Sequence, residues 1–142
     1  MKRILTALDA SPRAPLVLKA AARLAELSGA KLIVFRALGI PPELPRDLFT
    51  VADAKLDDLL RDNARADLER LTSDVRPELI EKIAIEFATP WDGVCRAARE
   101  YDVELVVVGS HGYGGIDRLL GTTAAKVVNH TDRNVMVVRT PL

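Results

Sequence analysis

The sequence predicts one α/β domain over residues 1–142, a three-layer α/β/α sandwich around a five-stranded, mostly parallel, doubly wound sheet. Three observations predict it. Short apolar runs stop abruptly at Gly, Pro or Asp. Segments with apolar residues three and four apart lie between those runs. The two patterns alternate along the chain, which requires right-handed crossovers and therefore parallel strands.

The first strand is Ile4-Leu5-Thr6-Ala7-Leu8, ended by the turn formers Asp9-Ala10-Ser11-Pro12. From Ala14 onward Val17, Ala20, Ala21, Leu24 and Leu27 recur at helical spacing, with Arg23 and Glu26 off that face and Gly29 as C-cap. Lys31 to Leu38 contains Leu32-Ile33-Val34-Phe35, continuously apolar as a strand covered on both faces must be. Gly39-Ile40-Pro41-Pro42-Glu43-Leu44-Pro45 is a loop, because its prolines remove backbone donors and fix φ. The stretch from Gly39 to Ala54 reads as a flexible connection. Beyond it Leu56, Leu59, Leu60, Ala64, Leu68 and Leu71 form the inner stripe of a long second helix, whose interleaved charges make a solvated outer face.

Lys82 to Phe87 is the third strand, and Thr89 can cap a third helix with Pro90 at its first position. That helix buries Val94, Cys95 and Ala98, with Trp91 at its start. Glu104-Leu105-Val106-Val107-Val108 is the fourth strand and runs directly into Gly109-Ser110-His111-Gly112-Tyr113-Gly114-Gly115. Thr122 or Thr123 opens a fourth helix with Ala124, Val127 and Val128 inward, and Asn134 to Arg139 forms the fifth strand.

Lys plus Arg and Asp plus Glu both number 20, so no overall basic field exists to attract nucleic acid or anionic lipid. The single cysteine, Cys95, cannot form an intrachain disulfide. Met1-Lys2-Arg3 precedes only a few apolar residues before Asp9, too few for a signal-peptide core, and no apolar run is long enough to span a bilayer. The expectation is a cytoplasmic protein with no nucleic-acid or membrane partner.

In open parallel sheets, ligands bind outside the carboxyl ends of the strands, where the strand order reverses. The chain places its two unusual segments there: Asp9-Ala10-Ser11 after the first strand, and the glycine cluster leading to Gly121-Thr122-Thr123 after the fourth. Glycines let backbone N–H groups approach an anion, and a helix N-terminus adds unpaired donors and the positive end of its dipole. Phosphate binding is one reading; a tight turn with threonine capping the helix is the other, and the residues alone leave both open. Asp9 likewise suits either recognition or turn formation. His111 has no carboxylate partner in the sequence and reads as a surface residue. His130 suits the C-terminal end of the fourth helix, where a cation is favoured. Cys95 reads as a buried, inert thiol.

The runs Gly109-Ser110-His111-Gly112, Arg118-Leu119-Leu120-Gly121-Thr122 and Val135-Met136-Val137-Val138-Arg139 resemble the carboxyl-terminal signature of the universal stress protein family. Ile4 to Ser11 resembles that family's first strand, and the similarity covers essentially the whole chain. The resemblance implies a Rossmann-like, adenine nucleotide alpha hydrolase-like fold. In nucleotide-binding members the signature is G-x2-G-x9-G-[ST]. Carried over by position, it implies that Ala7 and Asp9 meet the base or ribose and that Ala37 lines an adenine pocket. Gly109, Gly112, Gly121, Thr122 and Thr123 would cradle the ribose and phosphates of ATP, as Mg-ATP, or of ADP or AMP. It also implies a stress-response sensor that forms a homodimer through the fifth strand, Val135 to Val138. A nucleotide-free dimeric interaction protein and a slow ATPase are the alternatives within the family. The chain departs from the pattern at three places. Eight residues separate Gly112 from Gly121, one fewer than the signature has, and Ala10 and Ala88 stand where glycine is usual.

Other nucleotide folds are excluded by missing motifs. The chain has no G-x-x-x-x-G-K-[ST] and no G-x-G-x-x-G after the first strand. Asp9 stands without the clustered acids of a phospho-receiver domain, and the first strand is not followed by the serine-glycine loop of the ATP pyrophosphatases.

Overall fold

The computed structural model describes residues 1–39, 51–111 and 120–139. The chain order is β1 (Arg3–Ala7), α1 (Ala14–Ser28), β2 (Lys31–Leu38), α2 (Val51–Thr72), a 3-10 turn (Pro77–Leu79), β3 (Ile80–Phe87), α3 (Pro90–Glu100), β4 (Leu105–Gly109), α4 (Thr122–His130) and β5 (Asn134–Val138). The strands form one sheet in the order β3-β2-β1-β4-β5, and every pairing in it is parallel. The sheet is therefore wholly rather than mostly parallel, with β3 and β5 at its edges.

Alternate residues of each strand face opposite layers, as the period of two requires. Ile4, Leu32, Val34 and Val107 pack with Leu18, Ala21, Ala64 and Leu68 from α1 and α2. Leu5, Ile33, Phe35, Val106 and Val108 pack with Val94, Ala98, Ala124 and Val127 from α3 and α4. Both faces of the sheet are thus covered, which is why the sequence shows near-continuous apolar runs rather than alternation.

The helices correct three details of the sequence reading. In α1 the buried positions are Ala14, Val17, Leu18, Ala21 and Ala25, a true three-and-four stripe, whereas Leu27 falls off it and is 74% exposed. Gly29 does end α1, at φ 74°, with its N–H donating to the Ala25 carbonyl. In α2, Ala64 and Leu68 are buried and Leu71 is partly so, but Leu56, Leu59 and Leu60 are exposed. These three leucines precede the point at which α2 reaches the end of β3. Arg61 marks that point, since its guanidinium sits 4.6 Å over the Phe87 ring and donates to the Ile85 carbonyl at the end of β3. In α4, Ala124 and Val127 face inward but Val128 is exposed.

Ala88, where the family pattern has glycine, is accommodated by a second small residue. Gly93 of α3 lies so close to the sheet that a Cβ there would stand 3.0 Å from the Ala88 Cβ and 3.4 Å from Phe35. Gly93→Ala should therefore lower stability by about 1 kcal/mol or more in urea unfolding, because overpacking outweighs the better helix propensity of alanine. A stabilised variant would show that α3 can retreat from the sheet at no cost.

Candidate functional site

β1 lies beside β4, and the chain leaves β1 toward α1 on one face and β4 toward α4 on the other. A crevice opens between the two departing loops. It encloses about 480 Å³ at the carboxyl edge of the sheet. One end is an apolar slot made by Ala7, Phe35, Ala37, Pro90, Val94 and Val108; the other is polar, made by Gly109, Ser110, His111, Gly121, Thr122 and Thr123, with Asp9, Ser11 and Arg13 along the wall.

The wall is a pair of nested turns. The Asp9 carboxylate accepts the Ser11 N–H at 2.9 Å through Oδ1, and the Ser11 hydroxyl accepts the Arg13 N–H at 3.3 Å. Asp9 is thus a turn former, and the same exposed carboxylate also lines the cleft. Behind the turn lies Arg36, 5% exposed, on the α2 side of β2. Its guanidinium donates to the Leu8 carbonyl at 2.9 Å, to the Asp9 carbonyl at 2.7 Å and to the Asp67 carboxylate of α2 at 2.8 Å. It satisfies two carbonyls that β1 leaves unpaired as it exits the sheet.

The opposite wall is pinned through Ser110. Its N–H donates to the Val138 carbonyl at 2.8 Å, and its carbonyl accepts the Gly121 N–H at 2.7 Å. The two ends of the β4–α4 connection are therefore joined directly. Gly109 lets α1 approach, since a Cβ there would meet Val17 Cγ2 at 3.0 Å, and a Cβ at Gly121 would meet the Ser110 carbonyl oxygen at 3.2 Å. Gly121 is the N-cap of α4, with no side-chain cap and no acid in the first turn. The threonines do not cap the helix; both are exposed at its first two positions and border the cleft. His111, read from sequence as a surface residue, instead lines the cleft, and its enclosed Nε2 has no hydrogen-bond partner among the described residues.

β2 contributes a backbone edge. Pairing with β1 ends at Ala7 opposite Phe35, with one further bond from the Leu8 N–H to the Phe35 carbonyl at 2.9 Å. In a parallel strand the amide and carbonyl of alternate residues point to the same side. Ala37 therefore turns both toward the space that β1 has left, while Leu38 accepts the Ala88 N–H at 2.9 Å on the β3 side.

Of the residues singled out from sequence, Ala7, Asp9, Ala37, Gly109, Gly121, Thr122 and Thr123 all line this cleft. Gly112 lies outside the described residues. Sequence reasoning missed Arg36 and Arg13; the signal for Arg36 was an arginine inside an apolar strand, which must find buried acceptors. Neither Ala10 nor Ala88 has positive φ, so neither place demands glycine. Cys95 is buried, and that burial pushes its thiol above the ordinary range. His130 donates from Nδ1 to the Lys126 carbonyl at 2.8 Å, and its ring lies 4.6 Å from that of Trp91. Both residues have structural roles. Among the described residues no group of three or more His, Cys, Asp or Glu side chains is placed to hold a metal ion, and no helix is long and apolar enough to cross a membrane.

The model of the "Universal stress protein family" matches residues 1–139. Universal stress protein A homolog 1 of Coxiella burnetii is 29% identical over 143 aligned positions, covering 96% of this chain and 95% of that protein. Universal stress protein UspA from Lactobacillus plantarum has a similar structure, with a TM-score of 0.79 at 22% identity over 97% of both chains. A universal stress protein in complex with cAMP is similar at a TM-score of 0.61 and 25% identity, covering 99% of this chain and 98% of that one.

Arg36→Met removes the donors of the Leu8 and Asp9 carbonyls and leaves Asp67 without its buried partner. We expect a loss of about 2–4 kcal/mol in urea unfolding, only partly recovered by Arg36→Lys, whose single nitrogen cannot span the three positions that Nε, Nη1 and Nη2 reach. Full stability in Arg36→Met would mean that water replaces the guanidinium at no cost.

Proposed function

This chain belongs to the universal stress protein family, and from that premise we propose that its cleft binds an adenine nucleotide, ATP before ADP or AMP, as a cytoplasmic stress-response sensor. The observation that carries the reading is a match of two ends. An apolar slot, bordered by the Ala37 amide and carbonyl, stands at one end, and the uncapped N-terminus of α4 stands at the other.

Adenine offers an acceptor at N1 beside a donor at its amino group, which complements an N–H and C=O on one strand edge. Guanine offers the reverse order and would set carbonyl against carbonyl, leaving buried polar groups unpaired. Ala7, Phe35 and Val94 supply apolar surface for the ring, and the Asp9 carboxylate suits ribose hydroxyls. At the far end the N–H groups of Thr122 and Thr123, their hydroxyls and His111 Nε2, which has no partner among the described residues, suit phosphate oxygens.

The shorter spacing between Gly112 and Gly121 does not weigh against this. The bond from Gly121 to Ser110 fixes both ends of the connection, so the difference falls between them and leaves the α4 N-terminus in register with β4. Mg-ATP is the form we expect to bind, and cAMP belongs in the test panel because a similar protein holds it.

We further propose that β5 pairs with a second copy. It is an edge strand whose four residues Val135 to Val138 are all half-buried apolar groups, and such edges are normally covered.

Thermal unfolding of nucleotide-stripped protein with saturating Mg-ATP tests the nucleotide reading. At about 100 times Kd the native state gains about 2.7 kcal/mol, a rise in Tm of several degrees. Gly121→Val should lose that gain, because its side chain would collide with Ser110. An unchanged Tm in stripped wild-type protein contradicts nucleotide binding. For the dimer, Val137→Lys should run as a monomer in light scattering with its circular dichroism intact; a persistent dimer moves the interface away from β5.

A further inference from the structure

Among the described residues that line the cleft, Arg13 carries the fixed positive charge, and it lies outside the glycine signature. We propose that Arg13 is a phosphate contact of this cleft and sets its preference for nucleotides with more phosphates. The inference rests on the adenine-nucleotide reading above and says which end of the ligand the side chain meets.

Its position follows from packing. Val17 touches the place where a Cβ on Gly109 would stand. Arg13 is four residues earlier, on the same face of α1 and about one turn nearer the carboxyl edge of the sheet. It therefore lies on the wall of the cleft toward the carboxyl end of β4, where Gly109 and Ser110 line the polar end. The nested turns at Asp9 and Ser11 fix its backbone before any ligand arrives.

Its electrostatics point the same way. Arg13 is 6% exposed, so its charge acts through protein rather than water and attracts a neighbouring anion more strongly than a surface cation would. It is the N-cap of α1, whose first turn holds no acid, so the dipole of α1 adds to its positive field. The N-terminus of α4, also without an acid in its first turn, faces the same space. Two helix N-termini and a buried guanidinium thus converge on one end of a cleft whose lining, among the described residues, holds Asp9 as its acid. Each added phosphate brings negative charge toward that convergence, whereas the base and ribose do not reach it. A guanidinium also offers paired donors matched to phosphate oxygens, which lysine does not.

The test is calorimetric titration of the full, nucleotide-stripped chain with AMP, ADP and ATP at fixed ionic strength, for wild type, Arg13→Met and Arg13→Lys. Wild type should bind ATP more tightly than AMP, and more so at low salt. Arg13→Met should lose about tenfold or more in ATP affinity while AMP changes by about threefold at most. Arg13→Lys should fall between. An equal loss for AMP and ATP, or an unchanged ATP affinity, overturns the proposal while leaving the nucleotide reading intact. If wild type binds none of the three, both fall together. Should Arg13→Met fail to fold, wild type and Arg13→Lys still decide, since an ATP-to-AMP ratio insensitive to both salt and the lysine substitution contradicts the role.

Discussion

Everything at the site depends on the direction and order of the sheet. All five strands run the same way, so every strand end and every following helix start gathers at one edge. Because the chain begins in the middle, at β1, and extends first toward β3 and later toward β5, its connections part company between β1 and β4. No side chain has to be hollowed out to make the cleft; it is the gap left where one crossover goes forward and the next goes back. The helix N-termini that border it come from the same geometry, and their dipoles direct positive potential into it before any particular residue is chosen.

What the particular residues add is rigidity. A loop leaving a sheet carries carbonyls that no strand pairs, and these would otherwise seek water or reorient. Arg36 takes two of them and anchors itself to α2, while Ser110 ties β4 to both β5 and the start of α4. Arg36 acts from behind the cleft wall, and the Ser110 backbone acts within the lining itself. They hold open a space bordered by the Ala37 edge, the Thr122 and Thr123 hydroxyls and His111 Nε2. Preorganised donors of this kind spare a ligand the cost of ordering them.

The layered fold was legible because buried parallel strands leave continuous apolar runs that a sequence displays openly: Leu32 to Phe35 and Leu105 to Val108 lie where their composition says they should. Helix faces were less legible. Leu56, Leu59, Leu60 and Val128 satisfy helical spacing yet lie outside the core, since spacing reports one face of a helix and not how far the sheet beneath it extends. Gly109, Gly121 and Thr122 of the glycine signature could be placed from resemblance and line one space, while Gly112 lies outside the described residues. Asp9 could be read two ways because it does two things, bonding its own turn and bordering the cleft. Arg13 was illegible because a charged residue beside a turn looks like solvent-facing chain, whereas Arg36 did carry a signal, its place inside an apolar strand, and packing shows that both are buried.

Backbone amide resonances followed by NMR during titration of nucleotide-stripped protein with ATP test the central claim most directly. The amides of Ala37, Gly109 and Gly121 to Thr123 should shift together and saturably, and those at the amino edge of the sheet, such as Lys31 and Ile80, should stay still. Saturable shifts confined to residues away from β1 and β4, or none at all, would contradict the assignment of this cleft as a nucleotide site.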